Sequence, residues 1–254
     1  MKLFKLVFIV SLLAGCASTG GGSAGTPQPV TSRAQAIAKV HTELAAAYYE
    51  RKQYAVALQE IGVAMQADAD YAPAFSMRAL VRMALREDEQ ADADFRRSLQ
   101  LDSRSSDTHN NYGWFLCQRG REKESFEQFR EALKNPLYET PELAYLNLGV
   151  CSRKAGMVKE AAGNLQRALV LHPDMPGALY SLAGLSYDSG DYAGAKSYFR
   201  RFSQVSPELT AEQLLLAVRI ERKVRDRNSE ASYALQLRKR YPDSRETQLL
   251  SQGE

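Results

Sequence analysis

Three histidines, three cysteines and one tryptophan are all that 254 residues supply of the side chains most often recruited to reactive centres. The histidines, His41, His109 and His172, stand far apart, with no Cys, Asp or Glu at metal-ligand spacing beside them. No Gly-rich phosphate loop, zinc motif or nucleophile elbow set between a strand and a helix occurs. The chain therefore reads as a non-enzyme without metal, cofactor or small-molecule substrate. Charge of one sign is lacking too: removing the first fifteen residues, with Lys2 and Lys5, leaves 31 basic side chains against 30 acidic. So even a balance offers no electrostatic footprint for nucleic acid. Long apolar runs are also missing. The only marked one, Leu6 to Leu13, falls far short of the roughly 20 residues that span a bilayer.

What is present is repetition. Between Tyr145 and Pro173, an aromatic residue precedes Leu148-Gly149, and Gly156, Ala161, Leu165 and Pro173 follow. That spacing resembles a tetratricopeptide unit, a helix-turn-helix of about 34 residues. Small residues at 149 and 161 let two antiparallel helices approach, Leu165 fills the space between them, and Pro173 stops the second. Tyr112-Gly113, Gly120, Phe129 and Ala132 repeat the frame upstream, and Leu182-Ala183, Gly190 and Phe199 repeat it downstream. The frame divides the chain into repeats at 38–71, 72–105, 106–141, 142–175 and 176–209, with a degenerate copy at 210–243. The predicted fold is all-α, a right-handed superhelical solenoid of five to six helix pairs over 34–248, followed by a tail at 249–254.

The N-terminus has a different character. Lys2 and Lys5 precede the short apolar run, as in a secretory signal, and the run ends in Leu13-Ala14-Gly15-Cys16, which resembles a bacterial lipobox. The resemblance implies cleavage after residue 15, acylation of Cys16, and anchoring that two or more acyl chains make stable. Ala17, where an Asp is absent, resembles lipoproteins sorted to the outer membrane. Residues 16–33 then read as the lipidated end and a tether, with Gly20 to Gly22, Pro27 and Pro29 too polar and broken to pack. Seventeen such residues, 17–33, span on the order of 20–25 Å.

Cys117 and Cys151 fall in the first helices of adjacent repeats. They either bridge across the inter-repeat contact, which an oxidising periplasm favours, or remain two buried thiols. Function is expected on the concave face, which the first helix of each repeat lines. Frame positions place Ala46, Tyr49, Leu80, Met83, Asn110, Trp114, Gln118, Tyr180 and Tyr187 there, with the alternative that individual members pack between repeats. Asn110 and Asn111 are suited to holding the backbone of a bound segment. The cluster Arg219, Arg222, Lys223, Arg225 and Arg227, interrupted by Glu221 and Asp226, reads first as a solvated helix face and second as a contact for lipid head groups or an acidic partner.

The lipobox, the Gly/Pro tether, the six repeats and the run Asn110-Asn111-Tyr112-Gly113-Trp114-Phe115-Leu116-Cys117, with Asn147-Leu148-Gly149-Val150-Cys151 and Arg219-Ile220-Glu221-Arg222, resemble the type IV pilus biogenesis and stability lipoproteins of the PilW/PilF family. The resemblance implies a pilotin. Such a lipoprotein binds the outer-membrane secretin, a PilQ-like subunit, in a tetratricopeptide groove, promotes its localisation and multimerisation, and meets pilus-alignment proteins. It implies a lipid-anchored protein at the outer membrane, facing the periplasm. The alternative with the same fold is a periplasmic scaffold for peptidoglycan-synthesis enzymes or the outer-membrane protein assembly machinery.

Overall fold

The computed structural model describes residues 32–253. The expectations for the signal segment, Cys16 and the Gly/Pro stretch to residue 31 lie outside them. Among the described residues there are thirteen helices and no strand: α1 (Arg33–Glu50), α2 (Tyr54–Ala67), α3 (Ala72–Leu85), α4 (Asp88–Leu101), α5 (Ser106–Gln118), α6 (Glu122–Lys134), α7 (Pro141–Lys154), α8 (Val158–Leu171), α9 (Pro176–Asp188), α10 (Tyr192–Val205), α11 (Ala211–Lys223), α12 (Arg227–Arg240) and α13 (Arg245–Ser251). The first twelve pair consecutively into six helical hairpins stacked in a tetratricopeptide solenoid.

Each of the first five hairpins closes around one small and one large side chain. Ala45, Ala79, Gly113, Gly149 and Ala183 occupy the same place on successive first helices, seven residues before the left-handed turn residue, and all are buried; in the sixth hairpin buried Val218 stands there. Facing them across the hairpin are Ile61, Phe95, Phe129, Leu165 and Phe199, also buried. The two glycines mark the tightest crossings. A Cβ on Gly113 would lie 2.8 Å from the Phe129 ring, and one on Gly149 would lie 2.7 Å from Leu165 Cγ. Both distances are shorter than packed carbon atoms tolerate. The turn between the two helices needs one left-handed residue. Glycine supplies it at 120, 156 and 190, whereas Lys52, Arg86 and Arg225 hold φ of 59°, 66° and 63° despite their side chains.

Side-chain bonds then fix one hairpin to the next. Arg119 Nε donates to Asp88 at 2.7 Å and Arg121 Nη1 to Asp92 at 2.6 Å, joining the second and third hairpins. Cys117 and Cys151, both fully buried, are joined through their sulfurs with Cα atoms 6.0 Å apart, so α5 is covalently tied to α7. Lys154 Nζ donates to the Cys117 carbonyl at 2.7 Å beside that bridge. At the C-terminal end, Lys196 Nζ donates to Glu221 at 2.7 Å and to Asp226 at 2.8 Å. The Lys196 bond to Asp226, with two more from the Ser229 backbone N–H and hydroxyl, holds the Asp226 carboxyl down at about 2.

Two boundaries differ from the sequence reading, at Arg33 and at the tail. Arg33 belongs to α1 rather than to the tether, because Ser32 caps that helix and Gln35 completes a reciprocal capping box. The sixth hairpin, read as degenerate, is formed by α11 and α12 with Leu214, Ala217, Val218 and Leu237 in its core. The expected tail at 249–254 begins as helix: Ser244 caps α13, and Leu250 is buried against the sixth hairpin. Glu221, taken as part of a solvated face, is itself buried against Lys196.

Gly149→Val is expected to cost about 2–3 kcal/mol through overpacking against Leu165. By contrast Gly163→Ala, where a Cβ would meet nothing within 4 Å, gains about 0.5–1 kcal/mol. Urea midpoints of the two variants check this, with opposite shifts at an unchanged slope. Reducing the bridge releases a loop with a sequence separation of 34 and lowers stability by about 3–4 kcal/mol in the loop-entropy picture. Equilibrium unfolding with and without reductant measures it, and the Cys117→Ala, Cys151→Ala chain should be insensitive to reductant.

Candidate functional site: the trough of first helices

The first helices stand side by side. α1 meets α3, α3 meets α5, α5 meets α7 and α7 meets α9, while α11 meets α13. Between α9 and α11 this close approach lapses. A cavity of about 490 Å³ opens there, floored by Tyr180, Gly184 and Tyr187 of α9 and by Leu215, Leu216 and Arg219 of α11. α7 supplies Arg153 on one side and α13 supplies Arg245, Glu246 and Leu249 on the other. A second cavity of about 370 Å³ shares Tyr187 and Arg219 and continues to Arg222, Lys223 and Gly253.

Several of the lining side chains are held by neighbours. Arg153 Nη2 donates to Asp188 at 2.6 Å. Its guanidinium lies across Gly184, where a Cβ would approach Nη1 to 2.9 Å, so the absence of a side chain at 184 leaves room for the charge. The Tyr180 ring packs on Phe202 with centroids 5.2 Å apart. Burial, and then the neighbouring Glu212 carboxylate, push its phenol up to about 12. The Tyr187 ring leans on Tyr192 at 5.5 Å. Arg222 Nε donates to Glu230 at 2.8 Å, and Lys223 Nζ sits 5.6 Å from the Tyr192 ring centroid. The arrangement joins apolar and aromatic floor to guanidinium and carboxylate rim, which is the chemistry of recognition.

The expected groove residues divide into two groups. Tyr180 and Tyr187 line the cavity. Tyr49, Leu80, Met83, Trp114 and Gln118, with Ala46, are partly exposed on the first three hairpins, and all but Gln118 also pack against core clusters. Tyr49 packs on Tyr54 at 5.8 Å, Leu80 and Met83 pack on the cluster of Phe95, Tyr112 and Phe115, and Trp114 packs beside the bridge of Cys117 and Cys151. Asn110 is a correction. It is 5% exposed, and its carboxamide oxygen accepts from Asn147 Nδ2 at 3.0 Å, so it knits the third hairpin to the fourth instead of facing a bound segment.

Sequence reasoning missed Arg153, Gly184, Glu212 and the wall from α13. The available signal for α13 was the Ser244 cap followed by Leu249 and Leu250, whereas the reading began a tail at 249; Arg153, Gly184 and Glu212 gave no comparable signal. Histidine chemistry is spent on structure: His41 Nδ1 lies 2.6 Å from Glu60, and His109 bonds Gln128 and the Ser103 carbonyl. No group of three or more metal-ligating side chains gathers among the described residues.

A family model of the tetratricopeptide repeat matches residues 143–174. Over 244 residues the chain is 30% identical to the type IV pilus assembly protein PilF of Pseudomonas aeruginosa, covering 96% of this chain and 95% of that protein. The crystal structure of PilW, described as a widely conserved type IV pilus biogenesis factor, is similar with a TM-score of 0.77 and 32% identity, over 84% of this chain and 98% of the other. A structure of Pseudomonas aeruginosa pilF is similar with a TM-score of 0.79 and 29% identity, over 88% and 100% respectively.

Tyr180 carries a pH prediction. An unfolded tyrosine ionises near 10, whereas folded Tyr180 stays neutral up to about 12. Its contribution to stability is therefore complete below pH 10 and is lost as pH rises through 12. Tyr180→Phe should flatten this alkaline loss, and Glu212→Gln should lower the Tyr180 ionisation without returning it to the ordinary value, since burial remains. Urea midpoints across the alkaline range measure the first, and spectrophotometric phenolate titration, by difference from the parent chain because Tyr138 is also pushed up to about 12, measures the second.

Proposed function

The chain belongs to the family of tetratricopeptide type IV pilus biogenesis proteins that includes PilF and PilW, and from that membership we propose that it is a pilotin. It holds a segment of the outer-membrane secretin in the trough of first helices while acyl chains on Cys16 anchor it to the inner surface of the outer membrane. It is a binding protein and not an enzyme. The observation that carries this reading is the similarity to a pilus assembly protein along 96% of the chain, together with a trough whose floor is aromatic and whose rim is charged.

The physical roles separate cleanly. Cys16 supplies the address. Residues 17–31 limit the distance from anchor to α1 to about 50 Å when fully extended. Confinement near the membrane raises the effective concentration of trough and secretin, so a modest intrinsic affinity is enough. Tyr180, Tyr187, Leu216 and Leu249 offer apolar contact, and Arg153, Arg219 and Glu212 set the orientation of whatever lies there.

Cys16→Ser is expected to leave the helical content unchanged yet to abolish membrane retention, detergent-resistant secretin multimers and twitching motility. Tyr187→Ala in the acylated chain is expected to keep the location and lower secretin recovery in pull-downs. Normal multimers in the Cys16→Ser strain overturn the proposal. Recovery of penicillin-binding proteins or barrel-assembly components in place of secretin assigns the chain to the scaffold reading.

A further inference from the structure

Repeat arrays normally end in a polar outer face, and α1, the first element of the described chain, does not. It packs on α2 and α3 and buries Ala38 and Ala45, while Ile37, Val40 and Leu44 stay 38%, 52% and 41% exposed. Steps of three and four residues put these three side chains on one face. The same steps carry that face back to Arg33 and forward through Ala47 to Arg51. The result is an apolar strip with a guanidinium at each end, and exposed Lys52 follows in the turn. The acids of the helix, Glu43 and Glu50, lie on the adjoining face, where Glu43 pairs with Lys39 at 3.8 Å.

We propose that this face of α1 rests on an anionic phospholipid surface. The proposal rests on the reading of Cys16 as acylated, because the length of chain ahead of α1 identifies the occupant. Fifteen residues, 17–31, separate Cys16 from the capping Ser32, and α1 is the first element they deliver to the membrane. The chemistry of the face matches that surface. Ile37, Val40 and Leu44 enter the boundary of the acyl chains, while Arg33, Arg51 and Lys52 keep their charges among the phosphates. Three apolar side chains bind weakly alone, and tethering makes the encounter intramolecular. Docking of α1 then sets which way the trough points relative to the membrane.

The test uses the mature chain with Cys16→Ser, so that no acyl chain contributes, mixed with vesicles of phosphatidylethanolamine and phosphatidylglycerol. The chain is expected to co-sediment weakly, to be released by salt, and to ignore vesicles of phosphatidylcholine alone. Val40→Glu with Leu44→Glu should lower the partition by about tenfold with helicity and melting temperature unchanged, since both side chains are exposed. An environment-sensitive fluorophore on Val40→Cys should shift to the blue on vesicle addition. The proposal is overturned by absence of co-sedimentation, by equal co-sedimentation of the glutamate variant, or by a fluorophore shift that follows protein concentration or a secretin fragment without vesicles. None of these readouts uses acylation or secretin assembly, so their failure and that of the pilotin reading are told apart.

Discussion

Two helices approach closely only where one of them carries almost no side chain and the other fills the space from the far side. In this protein that requirement recurs at Ala45, Ala79, Gly113, Gly149 and Ala183, each buried beneath the second helix of its hairpin. Everything else follows from it. Fixing the crossing fixes the angle between the two helices, the angle leaves one apolar edge open on each hairpin, and the next hairpin covers that edge. The first helices are thereby brought side by side, and their outward surface becomes the trough.

The spacing of those small residues made the fold legible in the sequence, because a period of 34 to 36 residues is a constraint on backbone approach and survives wide variation elsewhere. The sixth hairpin looked degenerate because its frame is offset by one more residue and puts Val218 where the earlier hairpins carry alanine or glycine, yet Leu214, Val218 and Leu237 still close a core. The site was less legible. Frame positions say which side chains rise from a first helix, but not where neighbouring first helices part. Tyr180 and Tyr187 line a cavity because α9 and α11 diverge there, whereas Asn110 at an equivalent height is buried because α5 and α7 are drawn together beside the Cys117 bridge. α13 escaped notice because seven residues hold too few turns to show a helical period.

Charge has a similar double use. Arg119 and Arg121 reach back to Asp88 and Asp92, and Lys196 reaches forward to Glu221 and Asp226, so ion pairs in both halves of the array clamp one hairpin to the next. Arg153 does this for the fourth and fifth hairpins through Asp188 while forming the rim of the trough. A residue that both ties two hairpins together and lines the cavity couples the two. Whatever engages Arg153 also bears on the spacing of the helices that line the cavity.

The covalent link between α5 and α7 changes what kind of object the array is. A plain row of repeats behaves like a zipper that opens from either end and runs through. Here the sulfur bridge closes a ring that takes in α6, the turns on either side of it and most of α7, near the middle of the row. Fraying that starts at α1 or at α13 meets a knot, and the molecule becomes two short arms breathing independently on one rigid hub.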